Sequence, residues 1–211
     1  TMNTIQTIMN STGASADQVK AKLKTLDDYA DKTVYSTADM FNNIYKFTNA
    51  GIDLDTATKA MIGIANATAD AGQGAQQASM AYYNLAQSLS TGYLTTIDYK
   101  SLNLANIVTK DMKQAFADTA IAAGTLKKKG EGLYQAGKKT YNLQQLFSEG
   151  LSEQWATADV IMKVFGEYGD ETTKLGQRAY KAATEVKTYT AMMESLKATA
   201  GTGWKRTWEL I

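Results

Sequence analysis

The stretch from Gly51 to Leu126 constrains this chain most: GIDLDTATKAMIGIANATADAGQGAQQASMAYYNLAQSLSTGYLTTIDYKSLNLANIVTKDMKQAFADTAIAAGTL. It is a series of alanine-rich amphipathic segments, each ended by glycine and restarted by Asp, Thr or Gly. Alanine favours helix above every other residue, and a glycine just past the last apolar position is the usual left-handed stop. Gly51, Gly72, Gly92 and Gly124 stand at that position. Small side chains between the stops permit close packing. Gly63, Ala67 and Ala71 recur every fourth residue, a spacing that lets a neighbouring backbone approach one helix face. The pattern predicts a compact, all-α array of short helices.

The same pattern extends on both sides. Ile5, Ile8 and Met9 share a helical face, and Ser15 with Gln18 forms a capping box ahead of Val19, Leu23, Leu26 and Ala30. Ser36 opens a helix presenting Met40, Phe41, Ile44 and Phe47. Asp53 or Asp55 opens the one that ends at Gly72, and another follows Gly74. A short segment from Ile97 to Ile107 precedes a helix capped by Thr109. Later, Asn142 with Gln145 makes a second capping box, and Thr157 caps a helix stopped near Gly169. Beyond it a helix from Asp170 to about Lys187 and another begun by Thr188 and ended at Gly201 are expected. No helix much longer than about 20 residues is foreseen.

Between Gly124 and Asn142 the helical period fails. TLKKKGEGLYQAGKKTYN is glycine-rich and basic, which predicts a solvated loop or small β-hairpin. The expected organisation is a first helical part over 1–124, this tract over 125–142 and a second helical part over 143–211. Lys127, Lys128, Lys129, Lys138 and Lys139, with Tyr134 and Tyr141 between them, could contact a nucleic-acid backbone and stack bases. The ordinary reading of such a tract is a solvated tip.

Composition removes several function classes. The 211 residues contain no cysteine and no histidine, so disulfides, zinc-type sites, thiol nucleophiles and Ser-His or Cys-His catalysis are all excluded. No cofactor or small-molecule substrate is expected. The 22 basic and 21 acidic side chains leave a net charge of +1, so no global field attracts nucleic acid or membrane. The N-terminus shows neither the basic region nor the apolar run of an export signal. Both ends have the look of cuts within a longer polypeptide.

The remaining constellations each have a structural and a functional reading. Ala71 to Ile97 runs 27 residues without a charge, enough to span a bilayer as a helix, but its glutamines, Asn84 and glycines favour a soluble helical pair. The G-x-G pairs at Gly72/Gly74, Gly130/Gly132 and Gly201/Gly203 lack the strand-to-helix setting and the Lys-Ser/Thr ending of a phosphate loop, and read as turns. Glu149, Glu153, Glu167 and Glu171 are candidate acids and bases for glycoside cleavage, yet no motif singles one out. Trp204 and Trp208, four apart, and the flexible Met192 and Met193 suit either a core contact or a docking face for another subunit.

The order of elements resembles the tape measure domain of phage tail tape measure proteins. The likeness is carried by G-I-D-L-D-x-A at Gly51–Ala57, A-N-A-x-A-D-A-G at Ala65–Gly72, and Y-N-L-A-Q-S-L at Tyr83–Leu89. It continues through D-Y-K-S-L-N-L-A-N at Asp98–Asn106 and A-A-G-T-L at Ala122–Leu126, and returns with Gly203-Trp204 and Thr207 to Ile211. The resemblance implies a non-enzymatic virion component that helps set tail length and organises assembly at the tail tip or baseplate, and is later released during DNA ejection. Implied partners are tail tube, tail-tip or baseplate proteins and tail assembly chaperones, with a few copies of the chain together. Nucleic acid or membrane contact is implied at most during ejection. Rival readings are a membrane-active helical module for an ejection channel and an unrelated helical interaction module. Liposome leakage distinguishes the first of these, and a far longer, helix-rich parent chain argues against the second.

Overall fold

The computed structural model describes residues 2–208 and, among them, the side chains of 3–188, 190–193 and 196. The chain is 71% helical. In order come α1 (Met2–Thr12), α2 (Ala16–Ala30), α3 (Thr37–Asn49), α4 (Leu54–Asp70), α5 (Ala75–Thr91), α6 (Thr96–Leu104) and α7 (Lys110–Ala122). Three short strands follow, β1 (Lys127–Gly130), β2 (Leu133–Ala136) and β3 (Lys139–Asn142). Then come α8 (Leu143–Ser148), a 3₁₀ turn (Gly150–Glu153), α9 (Ala158–Tyr168) and α10 (Lys174–Trp208).

Capping chemistry sets most of these boundaries. Ser15, Ser36, Asp53, Thr95, Thr109, Asn142 and Thr157 each accept the N–H three residues on, satisfying a donor that the first helical turn leaves unpaired. At the other ends Gly51, Gly72, Gly92 and Gly124 hold φ between +73° and +96°, where a Cβ is strained. The 27-residue uncharged run lies mostly in α5, between the turn at Gly72 that follows α4 and the turn at Gly92 that precedes α6. Among the described residues no helix is long and apolar enough to cross a membrane.

Helix α4 is the axis of the molecule. Met61, Ile64, Ala65, Ala67 and Thr68 are all buried, because α9 and α10 cover one side while α2, α3 and α5 cover the rest. Gly63 makes the α4–α9 crossing possible. A Cβ there would collide with the Phe165 carbonyl, and one at Gly169 would collide with the Lys59 carbonyl. The two glycines meet at one crossing, so the small-residue face is an interhelical contact.

Polar groups on α4 are matched by tyrosines. Tyr35 donates its hydroxyl to the Ala65 carbonyl at 2.7 Å, and Tyr82 donates to the Met61 carbonyl at 3.1 Å. The fully buried Asn66 accepts from the Tyr29 hydroxyl at 2.7 Å and donates to the Tyr168 carbonyl at 2.9 Å. A buried amide costs several kcal/mol unless bonded, so this relay fixes the relation of α2, α4 and α9 (~2–7 kcal/mol without a partner). Burial pushes the Tyr29 and Tyr82 phenols well above their ordinary value of 10.0.

Several expectations fail at the C-terminal end. The helix expected from Asp170 begins at Lys174, because Asp170 is committed to a turn: Thr172 donates its hydroxyl at 2.7 Å and its N–H at 3.0 Å to Asp170 Oδ1. These bonds hold the Asp170 carboxyl below its ordinary range. Thr173 then caps α10 through the Gly176 N–H at 2.9 Å. The break expected at Thr188 is also absent. Its hydroxyl donates backwards to the Thr184 carbonyl at 3.3 Å inside one continuous helix of 35 residues, far beyond the expected length. The helix runs through Gly201 and Gly203, which are helical positions rather than turns. A mid-helix glycine costs only about 1 kcal/mol and does not by itself end a helix.

Candidate interaction surfaces

The basic tract folds as a three-stranded antiparallel meander, ordered β1-β2-β3. Tyr134 pairs with Tyr141 across β2 and β3, and both rings are buried against the helices with Ala136. The Tyr134 hydroxyl bonds the Gln114 side chain of α7. Their burial corrects the stacking role that sequence allowed these tyrosines: neither ring can receive a base. Two-residue period explains it, since alternate residues of a strand face the core and both tyrosines fall on that side.

The five lysines stay outside. Lys127, Lys128, Lys129, Lys138 and Lys139 are all exposed. None joins the ion pairs found among the described residues. On the open face of the sheet Lys127, Gln135 and Thr140 form one cross-strand row.

On α10, the described side chains beyond Lys187 are mostly exposed. Met192 is 53% and Leu196 55% exposed, while Met193 is half-buried. The expected pairing of Trp204 with Trp208 falls on side chains outside the described residues. Nearer its start α10 is anchored by the buried Ala179 and Ala183, by the partly buried Leu175 packed against the core, and by Arg178. The Arg178 guanidinium grips Asp70 of α4 in a fork, at 3.0 Å from Nε and 2.7 Å from Nη2, and reaches Asp111 of α7 at 3.0 Å. Fork geometry fixes direction in a way that a lysine cannot.

A groove of about 670 Å³ between α3, α5 and α6 was not anticipated from sequence. Tyr45, Lys46, Tyr83, Gln87, Ile97 and Asp98 line it. The Lys46 ammonium stands 5.7 Å from the centre of the Tyr83 ring. At the floor the buried Asp98 carboxylate accepts the Ser88 hydroxyl at 2.7 Å and the Thr95 hydroxyl at 2.8 Å. Ile97 (77% exposed) and Leu104 (81%) lie seven apart on the outer face of α6. The signal lay in the tandem Tyr82-Tyr83: one ring fills the core, so its neighbour on the helix must point elsewhere.

The four glutamates do not converge on one site. Glu149 and Glu153 border the 3₁₀ turn, Glu167 is in the last turn of α9, and Glu171 lies in the link to α10; all are exposed. Among the described residues, no group of three or more acidic side chains is placed to hold a metal ion. The geometry therefore presents surfaces for contact: a basic sheet, an apolar-rimmed groove and an exposed helix face. Comparison with protein-family models, curated proteins and solved structures finds no match.

Proposed function

We propose that this chain is a placement module of a phage tail tape measure protein, acting by binding within the tail and not by catalytic turnover. The observation that carries the reading is the ordered set of sequence elements from Gly51 to Leu126. The fold is compatible with it in a specific way. A body of short capped helices carries one helix of 35 residues, about 52 Å long at 1.5 Å per residue. In this reading the body nucleates assembly or anchors the tape at the tail tip or baseplate, and α10 leads toward the tape. Partners are tube, tip or baseplate proteins and assembly chaperones, with a few copies in the virion. Met192, Met193, Trp204 and Trp208 are the contacts assigned to them, joined by the exposed Leu196 of the same helix.

Electron microscopy of tails from two in-frame deletions tests this. Removing the module should abolish tail initiation or tip attachment, whereas deleting a long helical tract elsewhere in the parent chain should shorten tails in proportion. If loss of the module merely shortens otherwise normal tails, the segment measures length. Normal tails of normal length would refute both roles.

A further inference from the structure

We propose that the β1–β2–β3 sheet is a sequence-independent binding face for the phosphate backbone of duplex nucleic acid. The chain as a whole is nearly neutral, but its charge is segregated. Residues 127–139 hold five lysines and one glutamate, leaving 17 basic against 20 acidic side chains elsewhere. The tract is therefore +4 on a body of −3.

Fold converts that composition into a surface. Packing of Tyr134, Ala136 and Tyr141 on the helices fixes the opposite face toward solvent. There the row Lys127–Gln135–Thr140 crosses all three strands over about 10 Å, offering ammonium and hydroxyl donors, with the Gln135 amide already donating to the Gly137 carbonyl at 3.1 Å. Lys138 and Lys139 lie at the β2–β3 turn, at the same end of the sheet as Lys127. Lys128 is paired with Tyr134 and Lys139 with Ala136, so these two stems leave on the packed side and their exposed side chains border the sheet, while Lys129 sits in the bulge between Lys128 and Gly130 that re-aims β1. Glu131 lies in the β1–β2 turn and the Glu153 carboxylate stands against Gly137 at the β2–β3 turn, yet none of the five ammonium groups joins the ion pairs found among the described residues, which leaves them free to meet phosphate oxygens.

Burial of both tyrosines decides which nucleic acid. Single strands are held largely by stacking on exposed aromatic rings, and this face has none. Evenly spaced phosphates of a duplex need only the charge and the donors. An acidic protein segment is the competing partner, and the test separates it.

The test is fluorescence anisotropy of a labelled 20-bp duplex with the intact chain, from 50 to 200 mM NaCl. With up to five phosphates engaged, log K should fall against log salt with a slope of up to about −4.5, and by about 0.9 less for each lysine removed. Changing all five lysines to glutamine should weaken binding at 50 mM salt by at least about 30-fold, whereas five Lys→Arg changes should preserve it. The same number of glutamine substitutions at Lys20, Lys32, Lys59, Lys100 and Lys163, all exposed, should alter it less than about 3-fold. These controls separate a local face from net charge and from misfolding. No duplex binding by the wild type at 50 mM salt, or equal losses in the two glutamine sets, would overturn the proposal. Polyglutamate of matched charge binding as tightly as the duplex would reassign the face to an acidic protein.

Discussion

At the scale of single residues, glycines with different surroundings make opposite predictions. Gly63 and Gly166 both lie inside helices, where glycine costs backbone entropy relative to alanine. At Gly166 a Cβ would meet nothing within 4 Å. Gly166→Ala should therefore stabilise the fold, by about 0.4–1 kcal/mol. At Gly63 the same methyl would collide with the backbone carbonyl of Phe165, which has no rotamer to yield. Gly63→Ala should destabilise by about 1–3 kcal/mol, as overpacking does, and Ala67→Leu on the same buried face by a similar amount. Urea denaturation of the three variants checks all of this. Equal shifts for the two glycine variants would mean that the α4–α9 crossing is looser than described.

Elements here are defined mainly by their ends, and one end has a pH signature. Asp53 caps α4, accepting the Thr56 N–H at 2.9 Å. Hydrogen bonding from Thr56, through its side chain and then its N–H, lowers the Asp53 carboxyl below its ordinary value of 3.8. A depressed carboxyl contributes its stability above the unfolded value and loses it as pH falls through the folded one. Asp53→Ala should thus cost about 0.5–2 kcal/mol at pH 7, with the difference from wild type shrinking below about pH 4. Asp53→Asn keeps an acceptor and should cost less. Guanidinium melts at pH 7 and pH 3 read the difference, and a pH-independent gap would contradict the cap. The caps were legible in sequence because Ser, Thr, Asp and Asn solve a local problem three residues away. The same locality explains the failures. Asp170 looked like the start of a helix but its carboxylate is taken by Thr172, and Thr188 looked like a cap but bonds back to Thr184. The three-stranded sheet was legible as a break in helical period, whereas the burial of Tyr134 and Tyr141 depends on α7 and α8 arriving beneath them. The α3/α5/α6 groove joins three separate helices, so no window of sequence contains it.

At the scale of the whole molecule, α10 divides into an anchored part and a projecting part. From Leu175 to Ala183 it contributes buried side chains to the core and the Arg178 fork to Asp70 and Asp111. Val186 still packs against the core, and the Lys187 ammonium bonds the Asp31 carbonyl. Beyond that point Thr188, Thr190, Ala191, Met192 and Leu196 are exposed, so the helix there gains little from the body. A chain ended after Thr190 should therefore melt within about 2 °C of the full chain, because losing 1 kcal/mol moves a domain of this size by roughly 2–4 °C. Ending it after Thr173 removes Leu175, Ala179, Ala183 and the fork together. That variant should lose at least about 3 kcal/mol, as the buried alanines, the partly buried Leu175, Tyr180 and Val186 and the fork go together, at roughly 0.8 kcal/mol per buried CH₂. Calorimetry of the two truncations distinguishes the roles. If the chain ended after Thr190 also collapses, the distal helix is part of the core and cannot serve as an arm for partners. If it folds normally yet no longer binds the tail proteins proposed as its partners, the body supplies stability and the arm supplies attachment, which is the division of labour that the proposed placement module requires.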